Sequence, residues 1–383
     1  MNLPRALSPA TRIESIDWVR GLAMVLMALD HARTYLADFR LDPLDLQQTS
    51  VALFLTRWIT HFSAPVFIFL AGMSAQRLSL RLPPAHLTHA LWLRGIWLVF
   101  LELTLMYFIW TFKLPGTGYP HFGVIWAIGW SMVLLGFLVR IPTMLLAISS
   151  LGIIVGHHVL DSLDVQSWGA LGEYWPILHG KGMTPLGRVV YPLMPWVAVM
   201  ASGFVAGGVF DWTPARRRVF LMRLGTACLV LFLALRLTNS YGDPHPWTPQ
   251  PRPLFTLLSI LNVEKYPPSL DFLLITLGCA FLLLAIVEQT HSKLSGVLKL
   301  FGRVPLFFYL FHLFVAHLAA GVVAVAMGFD LTLLAKDPIA AGWGFPLPLA
   351  YGVWLVMLTL LYPLCRWFDT LKHRTQSGWR RYL

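Results

Sequence analysis

Asp30 and His31 close an apolar run in RIESIDWVRGLAMVLMALDHARTYL, residues 12–36, a stretch that opens on charge at Arg12, Glu14, Asp17 and Arg20. On a helix Arg20, Met24, Met27 and His31 follow an i, i+4, i+7, i+11 spacing and share one face. The helical rise puts roughly 16 Å between Arg20 and His31. One stripe thus joins a cationic end to a group that can take and return a proton near neutral pH. The plainer reading is an ordinary first membrane helix with polar residues at its two interfaces.

Other ionisable groups fall inside apolar runs, where they are costly and therefore functional candidates. His61 opens the second run, in RWITHFSAPVFIFLAGMSA, with Arg57 four residues before it; Asp271 starts the eighth, and His312 lies deeper in the ninth, in LFFYLFHLF. Asp30, His31, His61, His121, His157 and His158 gather toward the same ends of their runs. A lone interfacial histidine is more often a hydrogen-bonded structural residue, and His157 and His158 are read that way. Glu102, near the middle of the third run, receives no role.

The elements that must hold these groups are membrane helices. The chain has 383 residues, 57% hydrophobic and 12% charged, with 16 Trp and a mean hydropathy of +0.66. Such a composition excludes a soluble enzyme and fits an all-α, polytopic integral membrane protein. About ten apolar segments are expected, near 16–36, 58–76, 92–111, 122–139, 143–160, 189–209, 219–237, 269–287, 304–327 and 347–365. A short cytoplasmic segment, 1–13, precedes a membrane domain over 14–371, and a basic cytoplasmic tail, 372–383, follows it. Arg20 and Asp17 beside the first run argue against a cleavable signal.

Most of the 29 Lys and Arg fall in connections on the side of the two termini, so the positive-inside rule puts both termini in the cytoplasm. The net charge of +11 is then a topology signal with contact to membrane lipid, and no nucleic-acid-reading module is present. The long connections, 37–57, 161–188 and the Pro-rich 238–268, fall on the outer side. Trp168, Trp175 and Trp247 within them are sugar platforms or interfacial anchors. Cys228, Cys279 and Cys365 lie in separate apolar runs without ligand spacing, so neither a metal nor a disulfide framework is expected. GxSxG, HExxH, phosphate-loop and dinucleotide signatures are absent.

SIDWVRGLAMVLMALDH resembles the opening motif of the DUF1624 family, within the transmembrane acyltransferase group related to heparan-α-glucosaminide N-acetyltransferase. THFSAPVFIFLAG, YPLMPWVAVMASGFVAG, KYPPSLDFLLITLG and GRVPLFFYLFHLF extend the resemblance, in order, from Ser15 to about Phe314. It implies a ten- or eleven-span fold in a bacterial inner membrane. It also implies transfer of an acetyl or acyl group from cytosolic acetyl-CoA or another acyl-CoA to an amine or hydroxyl of an extracytoplasmic glycan or small-molecule acceptor. His31 occupies the histidine position of the RG…H motif and is the first candidate for base or acyl carrier; His61 is the second, with Asp30 assisting. Arg20 and Asp17 would shape the inner mouth, Lys265 and Tyr266 would orient the acceptor, and His312 is grouped with the binding residues. In one respect the chain departs from the group. The lysosomal members carry Asn at the position of His31 and a catalytic His between the first two spans, where 37–57 here has none. Either His31 or His61 takes the role, or the activity differs. A proton-coupled permease or exporter of a small solute is the competing reading. A homo-oligomer is compatible with the chain.

Overall fold

A computed structural model describes residues 13–38, 40–289 and 292–374, which leaves most of the expected N-terminal segment and the tail beyond 374 outside the described residues. The elements that matter are α1 (Glu14–Leu36), α2 (Val51–Ser79), α3 (Pro84–Thr111), α4 (Val124–Leu138), α5 (Thr143–Gly156) and α6 (Leu193–Ala206). They continue as α7 (Pro214–Thr238), α8 (Pro253–Leu261), α9 (Leu270–Ile286), α10 (Lys293–Arg303), α11 (Pro305–Ala326) and α12 (Leu347–Arg374). Each of the ten expected apolar segments coincides with a helix. Among the described residues, 7 helical stretches are long and apolar enough to cross a membrane. Helices α4 and α9 are apolar but shorter, and α1 carries too many charges for that test.

Local chemistry sets where the helices begin. Pro84, Pro214, Pro253 and Pro305 open α3, α7, α8 and α11, where the missing N–H has no intrahelical partner to lose. The Ser269 hydroxyl accepts from the Phe272 N–H at 3.0 Å and caps α9, so the KYPPS segment is a helix start as well as a candidate site. Pro142 caps α5 after a short turn from α4, as the tight hairpin expected there requires. Two local departures arise. Helix α2 begins at Val51 and runs through a 3-10 turn at Thr60–Phe62, which places Arg57 and His61 within one continuous helical stretch. The connections 115–123 and 180–190 contribute a three-stranded sheet in the order β1-β3-β2. Its strands are β1 (His121–Phe122), β2 (Gly182–Thr184) and β3 (Gly187–Val189). His121 pairs with Arg188 in the parallel ladder and Met183 with Arg188 in the antiparallel one.

Helix α1 is the hub, packed against α2, α9, α10, α11 and α12. Small residues let it be approached closely. A Cβ on Gly21 would sit 1.8 Å from the Leu298 carbonyl oxygen, and one on Gly302 would sit 1.8 Å from that of Asp17. Only glycine permits this seating of α10 on α1. Arg20 locks the same junction, donating to Asp17 at 3.4 Å, to the Gly302 carbonyl at 3.2 Å and to Ser74 of α2 at 3.0 Å. At the far end the Trp343 indole donates to the Tyr35 carbonyl at 2.9 Å and the Phe345 N–H to that of Leu36 at 2.9 Å. Both ends of α1 are therefore pinned, and with them the height of His31.

The long connections are ordered by a second buried arginine. Arg236, at the end of α7, donates to the carbonyls of Ile260, His245, Ser259 and Asn262. One guanidinium thus satisfies four backbone acceptors and ties the connection after α7 to the end of α8.

Candidate active site

The loop-bearing end of α1 meets α11 at a pair of histidines. His31 Nδ1 and His312 Nε2 are 2.7 Å apart, and His312 Nδ1 lies 3.0 Å from the Phe308 carbonyl oxygen. A carbonyl only accepts, so His312 Nδ1 carries its proton there. In the neutral ring His312 Nε2 is then the acceptor, and His31 Nδ1–H donates to it. The chain of bonds leaves the lone pair of His31 on Nε2. That is the tautomer a base or nucleophile needs, fixed by a fully buried partner. The i, i+4 relation of Phe308 and His312 within α11 supplies the anchoring carbonyl from the same helix.

Aromatic rings enclose the pair. Trp110 of α3 stands edge-on to His31 at 5.2 Å between ring centroids, Tyr309 stands edge-on at 6.5 Å, and His312 stacks at 5.0 Å. Helix α3 contains a π-helical turn at Glu102–Met106 just before the turn that carries Trp110; such turns are frequent at functional sites. Glu102 is buried there and accepts from the Gly123 N–H at 3.1 Å.

Asp30 works beside His31 rather than on it. Its two carboxylate oxygens accept from Arg33 at 2.9 Å and from Arg57 at 2.5 Å. Two guanidiniums thus bind the carboxylate, and Asp30 anchors Arg33 and Arg57 beside His31. Arg57 also hydrogen-bonds to Tyr266, which is bonded to Lys265 and to Tyr191. The phenol oxygens of Tyr191 and Tyr266 are 3.4 Å apart. Burial pushes the Tyr266 phenol up, but the Lys265 ammonium and the Arg57 guanidinium outweigh it and bring the phenol down to about 8. Burial holds the Lys265 ammonium below its ordinary range, against the opposing pull of Tyr266. Asp30, Arg57, Tyr266 and Lys265 form one polar strand leading from His31 toward the long connections.

A cavity of about 390 Å³ opens from the opposite end, lined by Arg20, Arg94, Arg303 and Lys372 and walled by apolar residues that include Met24, Leu98 and Ile128. Tyr309, the neighbour of His31, is also in its wall. Arginine and lysine gathered at one apolar cavity suit a ligand with phosphates and a slender less polar arm. Residues 12–236, more than half of the chain, match the description "heparan-alpha-glucosaminide N-acetyltransferase, catalytic". The chain belongs to this family. No curated protein matches it. Membership and the apolar helices make it a multi-pass membrane protein of acetyltransferase type.

The family match covers His31, Asp30 and Arg57 and stops short of His312 and Lys265. Of the residues the sequence singled out, the fold brings His31 to His312, and Asp30 to the Lys265–Tyr266 segment through Arg57. Asp17 is buried beside Arg20 at the other end. His61 stands apart from the pair. It is 2% exposed, neither ring nitrogen has a hydrogen-bond partner among the described residues, and it faces a separate apolar cavity of about 240 Å³. A base is held by an orienting partner, and among the described residues none is hydrogen-bonded to His61. Sequence reasoning missed Arg33, readable as the i+3 partner of Asp30, and Tyr309, three residues before His312 on the same face. Nothing in the sequence pointed to Trp110 or Tyr191.

Proposed function

We propose that the protein moves an acetyl or acyl group from cytosolic acyl-CoA to an amine or hydroxyl of an extracytoplasmic sugar, with His31 as the group that handles the proton. The observation that carries this reading is the Phe308–His312–His31 chain of hydrogen bonds, which leaves the lone pair of His31 on Nε2, and two differently equipped regions neighbour the pair. On one side is the cationic cavity, suited to the phosphates of a CoA thioester, with its apolar wall running to Tyr309. On the other is the Lys265–Tyr266 strand, suited to sugar hydroxyls.

In this reading both termini are cytoplasmic, the cationic cavity faces the cytosol and the long connections face outward. His31 Nε2 accepts the proton of the acceptor as its nitrogen or oxygen attacks the thioester carbonyl. The C–S bond breaks, and the departing thiolate takes that proton from the imidazolium, giving the acylated sugar and free CoA. His312 holds the ring and receives the Nδ1–H bond that strengthens as His31 becomes positive. The Arg57 guanidinium, fixed by Asp30, and Tyr266 position the acceptor.

The test is release of free CoA by the purified protein given acetyl-CoA and a panel of amino sugars. Acceptor-dependent release that disappears in His31→Ala, with the variant still monodisperse, is the expected result. Acceptor-dependent release that survives in His31→Ala would remove His31 from the mechanism. No release with any acceptor from the wild type would turn the reading toward a carrier.

A further inference from the structure

We propose that His157, His158 and His179 form a three-histidine site for a divalent transition-metal ion, Zn²⁺ by its chemistry, at the loop-bearing end of the molecule. The three come from two separate segments. His157 and His158 begin the 3-10 turn that ends α5, and His179 follows the short helix Trp175–Leu178. One ring nitrogen from each lies within 4.8 Å of the others.

Hydrogen bonds decide which nitrogens those are. His157 Nε2 lies 3.0 Å from the Pro268 carbonyl oxygen, His158 Nδ1 lies 2.7 Å from Asp161 Oδ2, and His179 Nδ1 lies 3.4 Å from Asp161 Oδ1. A carbonyl and a carboxylate only accept, so the protons of His157 and His158 sit on these outward nitrogens, and Asp161 offers the proton of His179 the same kind of place. The inward nitrogens His157 Nδ1 and His158 Nε2 are left as lone pairs, and His179 Nε2 joins them when its proton is on Nδ1. His157 Nδ1 and His179 Nε2 are 3.0 Å apart, a hydrogen bond when His179 carries its proton on Nε2 and two ligand atoms for one ion when Asp161 draws that proton to Nδ1. His158 Nε2 is buried and has no hydrogen-bond partner among the described residues. A buried lone pair without a partner, such as that of His158 Nε2, is costly; a cation among the three rings would turn each inward nitrogen into a bond.

The outward bonds are those a metal site uses. Ligating histidines give their other N–H to a carboxylate or a backbone carbonyl, which fixes the tautomer and raises ligand basicity. Here one carboxylate, Asp161, serves two rings. Neutral imidazoles at roughly 2.0–2.1 Å in a tetrahedral arrangement suit Zn²⁺, with a fourth position for water. The sequence offered no ligand spacing because His179 reaches its partners only through the fold. The ion would tie the α5 end and the 175–179 segment to Pro268, which pairs by a backbone bridge with Lys265. It would brace the segment that carries Lys265 and Tyr266.

The test uses tag-free full-length protein, stripped with a chelator and titrated with Zn²⁺ in competition with a chromophoric chelator. One equivalent should bind, His158→Ala and His179→Ala should abolish that binding, and Asp161→Asn should weaken it 10- to 100-fold. X-ray absorption of the loaded protein should show imidazole nitrogen and no sulfur at the metal. The proposal fails if the wild type takes up no stoichiometric Zn²⁺. It fails equally if His158→Ala and Asp161→Asn bind as the wild type does.

Discussion

Two groups of histidines share one end of this molecule, and their partners assign them opposite chemistry. In the first, His31 and His312 are 2.7 Å apart and the run of bonds ends on a single carbonyl, that of Phe308. One proton lies between the rings and one lone pair emerges at the far side of His31. In the second, His157 and His179 are 3.0 Å apart, but each ring has its own outward acceptor. A carbonyl and a carboxylate draw protons outward from the space between these rings, which is where an ion would sit. A histidine pair is thus made into a base or into a ligand set by what its outer nitrogens touch, a distinction that spacing in sequence does not contain.

The largest effect should come from removing the emerging lone pair. His31→Ala is expected to lower kcat for acetyl transfer by about 10²–10⁴-fold, the usual worth of general base catalysis. His312→Ala should lower it by about 10²-fold while leaving the KM for acyl-CoA in place, because it releases the tautomer rather than the cavity. It should also move the acid limb of the kcat/KM pH profile. A profile that keeps its shape would make His312 a packing residue and undo the first half of the comparison.

Next in size is the support beneath His31. Asp30 holds Arg33 and Arg57, and Asp30→Ala leaves two poorly solvated guanidiniums facing each other. A loss of roughly 3 kcal/mol of stability is expected, read as a lower unfolding temperature in detergent. Asp30→Ala together with Arg57→Leu should recover part of it. If Asp30→Ala lowers kcat without lowering the unfolding temperature, Asp30 acts on the reaction directly, as the sequence reading had it.

The second group breaks at a smaller scale. Asp161→Asn removes the shared outward acceptor of two rings, and Zn²⁺ affinity should fall by about 10- to 100-fold, equivalent to roughly 1.4–2.7 kcal/mol. Chelator competition measures it. The same substitution leaves the His31–His312 bond untouched, so a change in the pH profile of catalysis with Asp161→Asn would mean that the two groups are not independent.

How much of this was legible in the sequence follows from the kind of interaction involved. Helix positions were readable because apolar runs, prolines at helix starts and the Ser269 cap are local. The Arg20–His31 stripe was readable because one helix fixes it. The pairing of His31 with His312 depends on how α1 seats against α11, and the junction that sets its depth rests on Gly21 and Gly302, two glycines whose spacing carries no signal alone. His61 illustrates the converse. It shares the depth and residue type of a catalytic group, yet faces an apolar cavity without a partner. Asp161 stood in plain view three residues after His158, but its second ring, His179, arrives from beyond two further turns.

The smallest effect concerns the approach opposite the cationic cavity and gives the comparison its sharpest control. Tyr266 sits below its ordinary value of 10.0, at about 8, because Lys265 and Arg57 outweigh the cost of burial. The phenol is an acid whose folded-state value is depressed. Between about 8 and 10 the folded protein therefore binds fewer protons than the unfolded chain, and stability rises with pH across that window. The contribution is full above 10 and is lost as pH falls through 8. A tyrosinate absorbance titration of the folded protein should show one phenol ionising near 8, and Tyr266→Phe should remove that step alone. If the acceptor leans on the Tyr266 hydroxyl, its KM should change over the same interval in the wild type and stay level in Tyr266→Phe, while the KM for acyl-CoA moves in neither. A change in both KM values would mean that the two approaches to His31 communicate, and the base would then have to be understood together with both of them.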